Sequence, residues 1–467
     1  MQTILSIDLG TTYFKAALFD DQMRLLALAR HPTPVLPAPA GCREIDPGDF
    51  KNVLLDLAAG LRRECPQEYG SVAAVTFSTQ TNSFLLLDGN DRPLTPILLW
   101  SDERASGDPL PPQGNLPGFQ QRTGMADVSH YMMTAKLAWL RRHRPEVCAA
   151  TRRLCLVSDF LTYWLTGRHV STAGAAGFTG LLDIHQLRWW PEACTAADVP
   201  LAWLPSVFRA GTDLGHLRPE TADAWHLPRS CRLVAGCLDQ YAGAIGAGNR
   251  SPGGISETTG TVLTAVRCAD GFSAQSEMIH QGPSFQPGWY WQMALDNQGA
   301  NLLESFRNLQ PDAPDFATLD AEAERTPPGA EGLRLVRSFS SDPRDAFSGL
   351  TPRHTRGHMA RCIMETIAWK LASQLDRLCG SDRPSCLRCC GGASRSPTWL
   401  QIKADVLNIP CASSNSPEPA CLGAALLAAR GLGWKEQHEC LLDTLQWIHP
   451  RPEVHDYYLA HFPERPF

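Results

Sequence analysis

Asp8, Gly10, Thr11, Thr12 and Lys15 share one short pattern: Ile4-Leu-Ser-Ile, then Asp8-Leu-Gly-Thr-Thr, then Phe14-Lys-Ala-Ala-Leu-Phe19. A Gly-Thr-Thr turn presents successive backbone N–H groups and two hydroxyls, donors suited to phosphate oxygens. Asp8 closes the first apolar run, where its carboxylate could hold Mg²⁺ through water that this cation gives up reluctantly. Lys15 would add a point charge. A second turn of the same kind, Thr259-Gly260-Thr261, precedes Val262-Leu-Thr-Ala-Val266. Two such turns could grip a polyphosphate, and a P-loop is excluded because G-x-x-x-x-G-K-[ST] occurs nowhere.

Three further segments carry chemistry. Ser78-Thr79-Gln80-Thr81-Asn82-Ser83 and Trp100-Ser101-Asp102-Glu103-Arg104 combine short donors and acceptors with an aromatic face, which is what a polyol needs. A polar turn between two strands would use the same residues. Cys390-Gly391-Gly392-Ala393 ends an apolar run in two glycines and opens a helix, leaving room for a flat ring against bare backbone, or simply making a turn. Asp239-Gln240 leads a Gly/Ala-rich stretch to Gly248, the pattern of a helix with an acidic N-cap and close neighbours.

The elements that must position these residues are α/β. Residues 4–28 read as strand, turn, strand, turn, strand, and 71–77 and 83–88 as further strands. Asp46–Arg63 opens with an Asp-Pro helix start and spaces Val53, Leu54, Leu57, Ala58 and Leu61 on one helical face. Helical patterns follow at 134–144, 158–166, 357–379 and 397–407, with a Pro/Gly loop at 106–118. Strands alternating with helices imply α/β architecture. The hairpin around Thr259 repeats that around Gly10, one per domain, which places two domains at 1–247 and 248–467.

Composition sets the outer limits. The chain has 467 residues and a net charge of −6, so no overall field would hold nucleic acid or an anionic membrane. No apolar run approaches the ~18 residues that span a bilayer. The N-terminal segment has no cationic start and carries Asp8 within its apolar stretch, unlike a signal peptide, so a soluble cytoplasmic protein is expected. The 16 cysteines are scattered; Cys386, Cys389 and Cys390 have neither a second pair nor a nearby His, so buried thiols are expected and no structural metal. Only six residues are lysine, which makes Lys15 and Lys136 informative where they fall inside motifs.

In their order along the chain these segments resemble the FGGY carbohydrate kinases, within the actin-like ATPase superfold. Asp8 to Lys15 resembles the first phosphate motif of that family, Thr259-Gly260-Thr261 the second, and Cys390 to Ser394 with Trp399, Gln401 and Asp405 the adenosine segment. Lys136-Leu-Ala-Trp139-Leu140-Arg-Arg142-His143 is similar to the N-terminal signature, and Gly349-Leu350 with His358-Met359 to Glu365 to the C-terminal one. The resemblance runs from about residue 4 to 430. It implies two actin-like (ribonuclease H-like) domains with an active-site cleft between them, ATP as co-substrate and Mg²⁺. It implies Asp239 as the catalytic base, Asp8 as the residue organising the metal, and Gln80, Thr81, Asn82, Trp100, Asp102, Arg104 and Gln240 around a sugar. ATP would meet Asp8, Gly10, Thr11, Thr12, Lys15, Gly260, Thr261, Gly391, Gly392 and Ala393. Gln80-Thr81-Asn82-Ser83 stands where xylulose kinases typically carry Gln-Met-His-Gly, and Asp239-Gln240 is nearer the glycerol kinase form. These departures bear on which sugar is taken; a ketopentose such as xylulose is the substrate expected from its frequency within the family that the chain resembles, with another ketose, a polyol or an aldonate as alternatives, and a non-catalytic nucleotide-gated sugar sensor as a third. The partner is a small molecule, and a homodimer is one option for assembly.

Overall fold

The computed structural model of the chain describes residues 2–273, 278–337, 339, 342–413, 416–434, 445 and 447–462. They fall into two compact units. The first comprises Met1–Gly246, Asp270–Trp291 and Glu418–Glu439; the second comprises Ala247–Ala269, Gln292–Pro417 and Cys440–Phe467. The sequence-based division at 247/248 lies beside the first changeover, and two later segments return to the first unit.

The first unit is built on β1 (Thr3–Leu9), β2 (Tyr13–Asp20), β3 (Leu25–Pro32), α1 (Pro47–Glu64) and β4 (Val72–Thr79). Every residue of β1 is buried, as expected of a central strand covered on both faces. It runs antiparallel to β2, with Asp8 opposite Lys15, and parallel to β4, with Asp8 opposite Ser78. Helix α1 starts where Asp46 accepts hydrogen bonds from the N–H groups of Gly48 and Asp49, and it buries Phe50, Val53, Leu54, Leu57, Ala58 and Leu61, the face read from the spacing. These side chains pack with Leu5, Ile7, Phe14 and Phe77 in one core. Next come α2 (Met133–His143), β5 (Arg232–Val234), β6 (Cys237–Leu238) and α3 (Asp239–Gly246). Strands β5 and β6 both run parallel to β4, so five strands of the seven-stranded sheet run in the order β5-β4-β1-β2-β3, with β6 beside the end of β4.

The second unit repeats this plan. Strand β7 (Ile255–Thr259) is antiparallel to β8 (Leu263–Ala269) and parallel to β9 (Leu387–Cys390), which is parallel in turn to β10 (Cys411–Ser413). Helices α4 (Arg356–Cys379) and α5 (Pro397–Leu407) accompany them. One antiparallel hairpin followed by a parallel neighbour occurs in both units, so the repeated turn seen in the sequence is a repeated sheet topology. Cys389 and Cys390 are buried free thiols in β9.

Helix α6 (Pro419–Gly431) lies in a segment that belongs to the first unit and packs on α3 and β1. An added Cβ at Gly246 would lie 1.9 Å from the Pro419 carbonyl oxygen, and at Gly423 1.8 Å from that of Ala242. The glycines of the stretch after Asp239 therefore permit a helix crossing inside this unit. The expected loop at 106–118 carries one 3₁₀ turn, Pro112–Asn115. Among the described residues no helix is long and apolar enough to cross a membrane.

Candidate active site

Parallel pairing places Asp8, Ser78 and Asp239 at the carboxyl ends of three adjoining strands, the edge of an open α/β sheet where ligands bind. Ser78 Oγ donates to Asp8 Oδ1 at 2.9 Å. Burial raises the Asp8 carboxyl above its usual range, while Lys15 and Ser78 pull it back. Asp239 is the first residue of α3, and its Oδ1 accepts from the Gln240 N–H at 2.7 Å. Burial, reinforced by the Asp8 charge, pushes Asp239 up to about 7. The residue that opens α3 is thus a carboxylate poised to exchange a proton near neutrality.

The Gly10–Thr12 turn follows from a tight hairpin: a Cβ on Gly10 would sit 2.8 Å from the Tyr13 carbonyl oxygen. Thr12 is exposed, and Thr11 Oγ1 accepts from the Trp100 indole N–H at 2.8 Å, which ties the turn to the Trp100–Arg104 segment. Lys15 Nζ donates to Glu418 Oε2 at 2.6 Å and lies 3.7 Å from Asp8 Oδ2.

In the polyol segment, Gln80 is 3% exposed; its Oε1 accepts from Ser83 Oγ, and its Nε2 has no partner within the protein. A buried amide donor without a partner is costly unless something arrives to accept it. Thr81 Oγ1 instead donates to the Ala175 carbonyl at 3.1 Å. Asn82, held at φ 58°, joins the Phe178 carbonyl and the Met133 N–H through its amide. The polar atoms of both side chains are thus bonded to backbone groups. Asp102 is fully buried and is bound by Arg104, whose guanidinium also reaches Glu44 at 2.5 Å. Lys136 donates to the carbonyl oxygens of Leu99, Trp100 and Tyr131, each at 2.9 Å. Burial draws its ammonium down to about 7.

Sequence reasoning missed three residues here. Tyr131 is 40% exposed and meets Trp100 edge to face with ring centroids 5.9 Å apart. In the sequence Ser78 is one residue of a polar run, and Glu418 carries no signal of its partnership with Lys15.

The second unit has its own strand-end site. The Thr259–Thr261 turn follows β7 and the Gly391–Ala393 turn follows β9, its parallel neighbour. Gly391 has φ 81°, and a Cβ there would lie 2.8 Å from the Thr259 carbonyl oxygen; beside Gly392 there is open space. Ala393 is buried. Lys403 is wholly buried and bonds Glu257 at 2.6 Å and Thr259 Oγ1 at 2.9 Å, so the second turn stands on an ion pair. At Gly299, which carries no signal in the sequence, an added Cβ would lie 2.5 Å from the Gly260 carbonyl oxygen, so the close approach needs a glycine. Among the described residues no group of three or more His, Cys, Asp or Glu could form a metal cage. The paired carboxylates Asp8 and Asp239 suit a cation that keeps most of its water.

Comparison with known proteins places the chain. Residues 3–246 match the N-terminal domain and residues 300–432 the C-terminal domain of the FGGY family of carbohydrate kinases. A xylulose kinase of Lactococcus lactis is 26% identical over 463 residues, covering 96% of this chain and 91% of that one. A glycerol kinase of Janthinobacterium is 28% identical over 485 residues, covering 96% and 93%. The crystal structure of a ligand-bound xylulose kinase from Lactobacillus acidophilus superposes with a TM-score of 0.88 at 22% identity, covering 99% and 96%. The fold is the two-domain actin-like ATPase fold. With both family domains matched in order, the chain belongs to the FGGY carbohydrate kinases, phosphotransferases with an alcohol group as acceptor.

Proposed function

We propose that this kinase transfers the γ-phosphate of ATP to a hydroxyl of a small uncharged sugar, a ketopentose such as xylulose, with Asp239 as general base. The observation that carries the reading is the strand-end pair of Asp8 and Asp239, with the Asp239 carboxyl raised to about 7; the buried Gln80 Nε2, which has no partner within the protein, supports it. Phosphoryl transfer asks the protein chiefly for alignment and charge stabilisation, plus a group that accepts the hydroxyl proton. Asp239 accepts that proton. Gln80, Gln240, Trp100 and Tyr131 orient the sugar, while Thr81, Asn82, Asp102 and Arg104 hold the wall in place. Gly10, Thr11, Thr12 and Lys15 bind phosphate oxygens, as do Gly260 and Thr261. Gly391, Gly392 and Ala393 take the adenosine. Mg²⁺, held through water by Asp8 and close to Asp239, would neutralise phosphate charge.

The cations beside the sugar wall favour a neutral substrate over an aldonate. Arg104 is matched by Asp102 and Glu44, and Lys136 is enclosed by three carbonyls. The protein works in the cytoplasm on a small molecule without nucleic acid or membrane. ADP release measured across ketopentoses, polyols and aldonates tests the reading. We expect sugar-dependent turnover with kcat/KM highest on a ketopentose and at least ~10-fold lower on any aldonate, the size of one missing charge-assisted hydrogen bond. Fastest turnover on an aldonate would refute the neutral substrate; no sugar-dependent release on any compound would leave a nucleotide-gated sensor.

A further inference from the structure

Glu418 occupies the N-cap of α6, yet its side chain makes no cap bond. Ser, Thr, Asp and Asn serve that position well and Glu does not. The side chain instead reaches across 403 sequence positions to Lys15, where Oε2 accepts from Nζ at 2.6 Å. Asp8 Oδ2 stands 3.7 Å from the same ammonium, beyond hydrogen-bond reach. Two carboxylates thus contend for one cation, and Glu418 holds it. The three side chains are 24% (Lys15), 9% (Asp8) and 16% (Glu418) exposed, so water screens the contest little.

We propose that Glu418 is a positioning residue for nucleotide binding: it holds the Lys15 ammonium off Asp8, keeping that carboxylate open and the cation in place for phosphate. The inference rests on the first turn being a phosphate site. An ammonium has three donors, and the bond to Glu418 uses one. With Glu418 gone, a movement of about 1 Å would bring Lys15 onto Asp8 in a direct, charge-assisted pair. Both groups would then be engaged with each other when nucleotide arrives. The tether also confines a long side chain that is otherwise free to sample many rotamers.

Calorimetric titration of the full chain with MgADP, in the absence of sugar, tests this. Glu418→Gln should raise Kd about tenfold and Lys15→Met by a similar factor, while the double variant should bind no more weakly than Lys15→Met alone. That coupling is what a merely structural role would not produce. Glu418→Asp, which keeps the charge on a shorter arm, should fall between wild type and Glu418→Gln, and it carries the comparison if Glu418→Gln does not fold. In steady-state kinetics the KM for ATP should rise with the sugar KM unchanged. Wild-type MgADP affinity in Glu418→Gln, or full additivity with Lys15→Met, would overturn the role of Glu418 alone. Wild-type affinity in Lys15→Met would instead overturn the phosphate reading of the turn, and the proposal with it.

Discussion

Asp239→Asn lowers kcat for sugar phosphorylation by roughly 10²- to 10⁴-fold, the range a positioned general base contributes, while MgADP affinity stays within about threefold by calorimetry. Asparagine keeps the size of the side chain and its oxygen can still accept the Gln240 N–H bond, so the local fold is preserved. It cannot take a proton from the sugar hydroxyl. The wild-type pH profile should report the same group. The folded carboxyl is raised to about 7, so below that pH the base is protonated and kcat/KM falls about tenfold per pH unit; above it the profile levels. Stability runs the other way. Between the ordinary value of 3.8 and about 7 the folded chain holds a proton that the unfolded chain releases, so wild-type stability declines as pH rises through that window. Asn does not titrate, so the variant should gain on wild type from pH 4 to pH 8, by about 1–3 kcal/mol for a half-buried group. Near-wild-type turnover in Asp239→Asn would remove this residue as the base.

The residues that sequence alone revealed are those whose partners lie nearby in the chain. Asp8, Gly10, Thr11 and Lys15 share one hairpin, and the Val53–Leu61 face of α1 follows from helical spacing, so local periodicity was enough. The repeat of the hairpin at Thr259 was visible because the same turn chemistry serves the same strand topology. Asp239 is different. By spacing it reads as an N-cap before small residues; only the parallel pairing of β6 with β4, which sets Cys237 opposite Ser78, brings it to the same strand ends as Asp8. Glu418 and Ser78 were silent for the same reason, since parallel pairing and a returning helix join positions far apart in sequence. Thr81 and Asn82 show the opposite limit. Their residue types suit a polyol, but whether a hydroxyl or amide faces a ligand or a backbone carbonyl is a tertiary fact. Lys136 was legible as a motif residue, and its work is structural.

Lys136→Met is expected to destabilise the protein by about 3 kcal/mol and to raise the sugar KM about tenfold, with the KM for ATP within twofold. The ammonium bonds three carbonyls, of which Leu99 also receives the Asp102 N–H, so methionine leaves the Trp100 and Tyr131 oxygens as the main losses. Each buried acceptor left unpaired costs ~1–3 kcal/mol. Methionine also relieves the burial that draws Lys136 down to about 7, which offsets part of that loss and keeps the total near 3 rather than 6. The functional effect follows from the identity of the two oxygens: they belong to the two aromatic residues that meet edge to face at the sugar wall. On the same helix Trp139 lies under the Arg104 guanidinium, 5.2 Å from its ring centroid, so α2 braces the segment at both ends and Lys136 supplies the polar half of the brace. Lys136→Arg should not restore the wild-type sugar KM, because a planar fork cannot place three donors as a tetrahedral ammonium does. Thermal unfolding and two-substrate kinetics on both variants decide the matter. An unchanged sugar KM in Lys136→Met would mean that Trp100 and Tyr131 are held by side-chain packing alone, and the carbonyl brace would lose its place in the binding of the sugar.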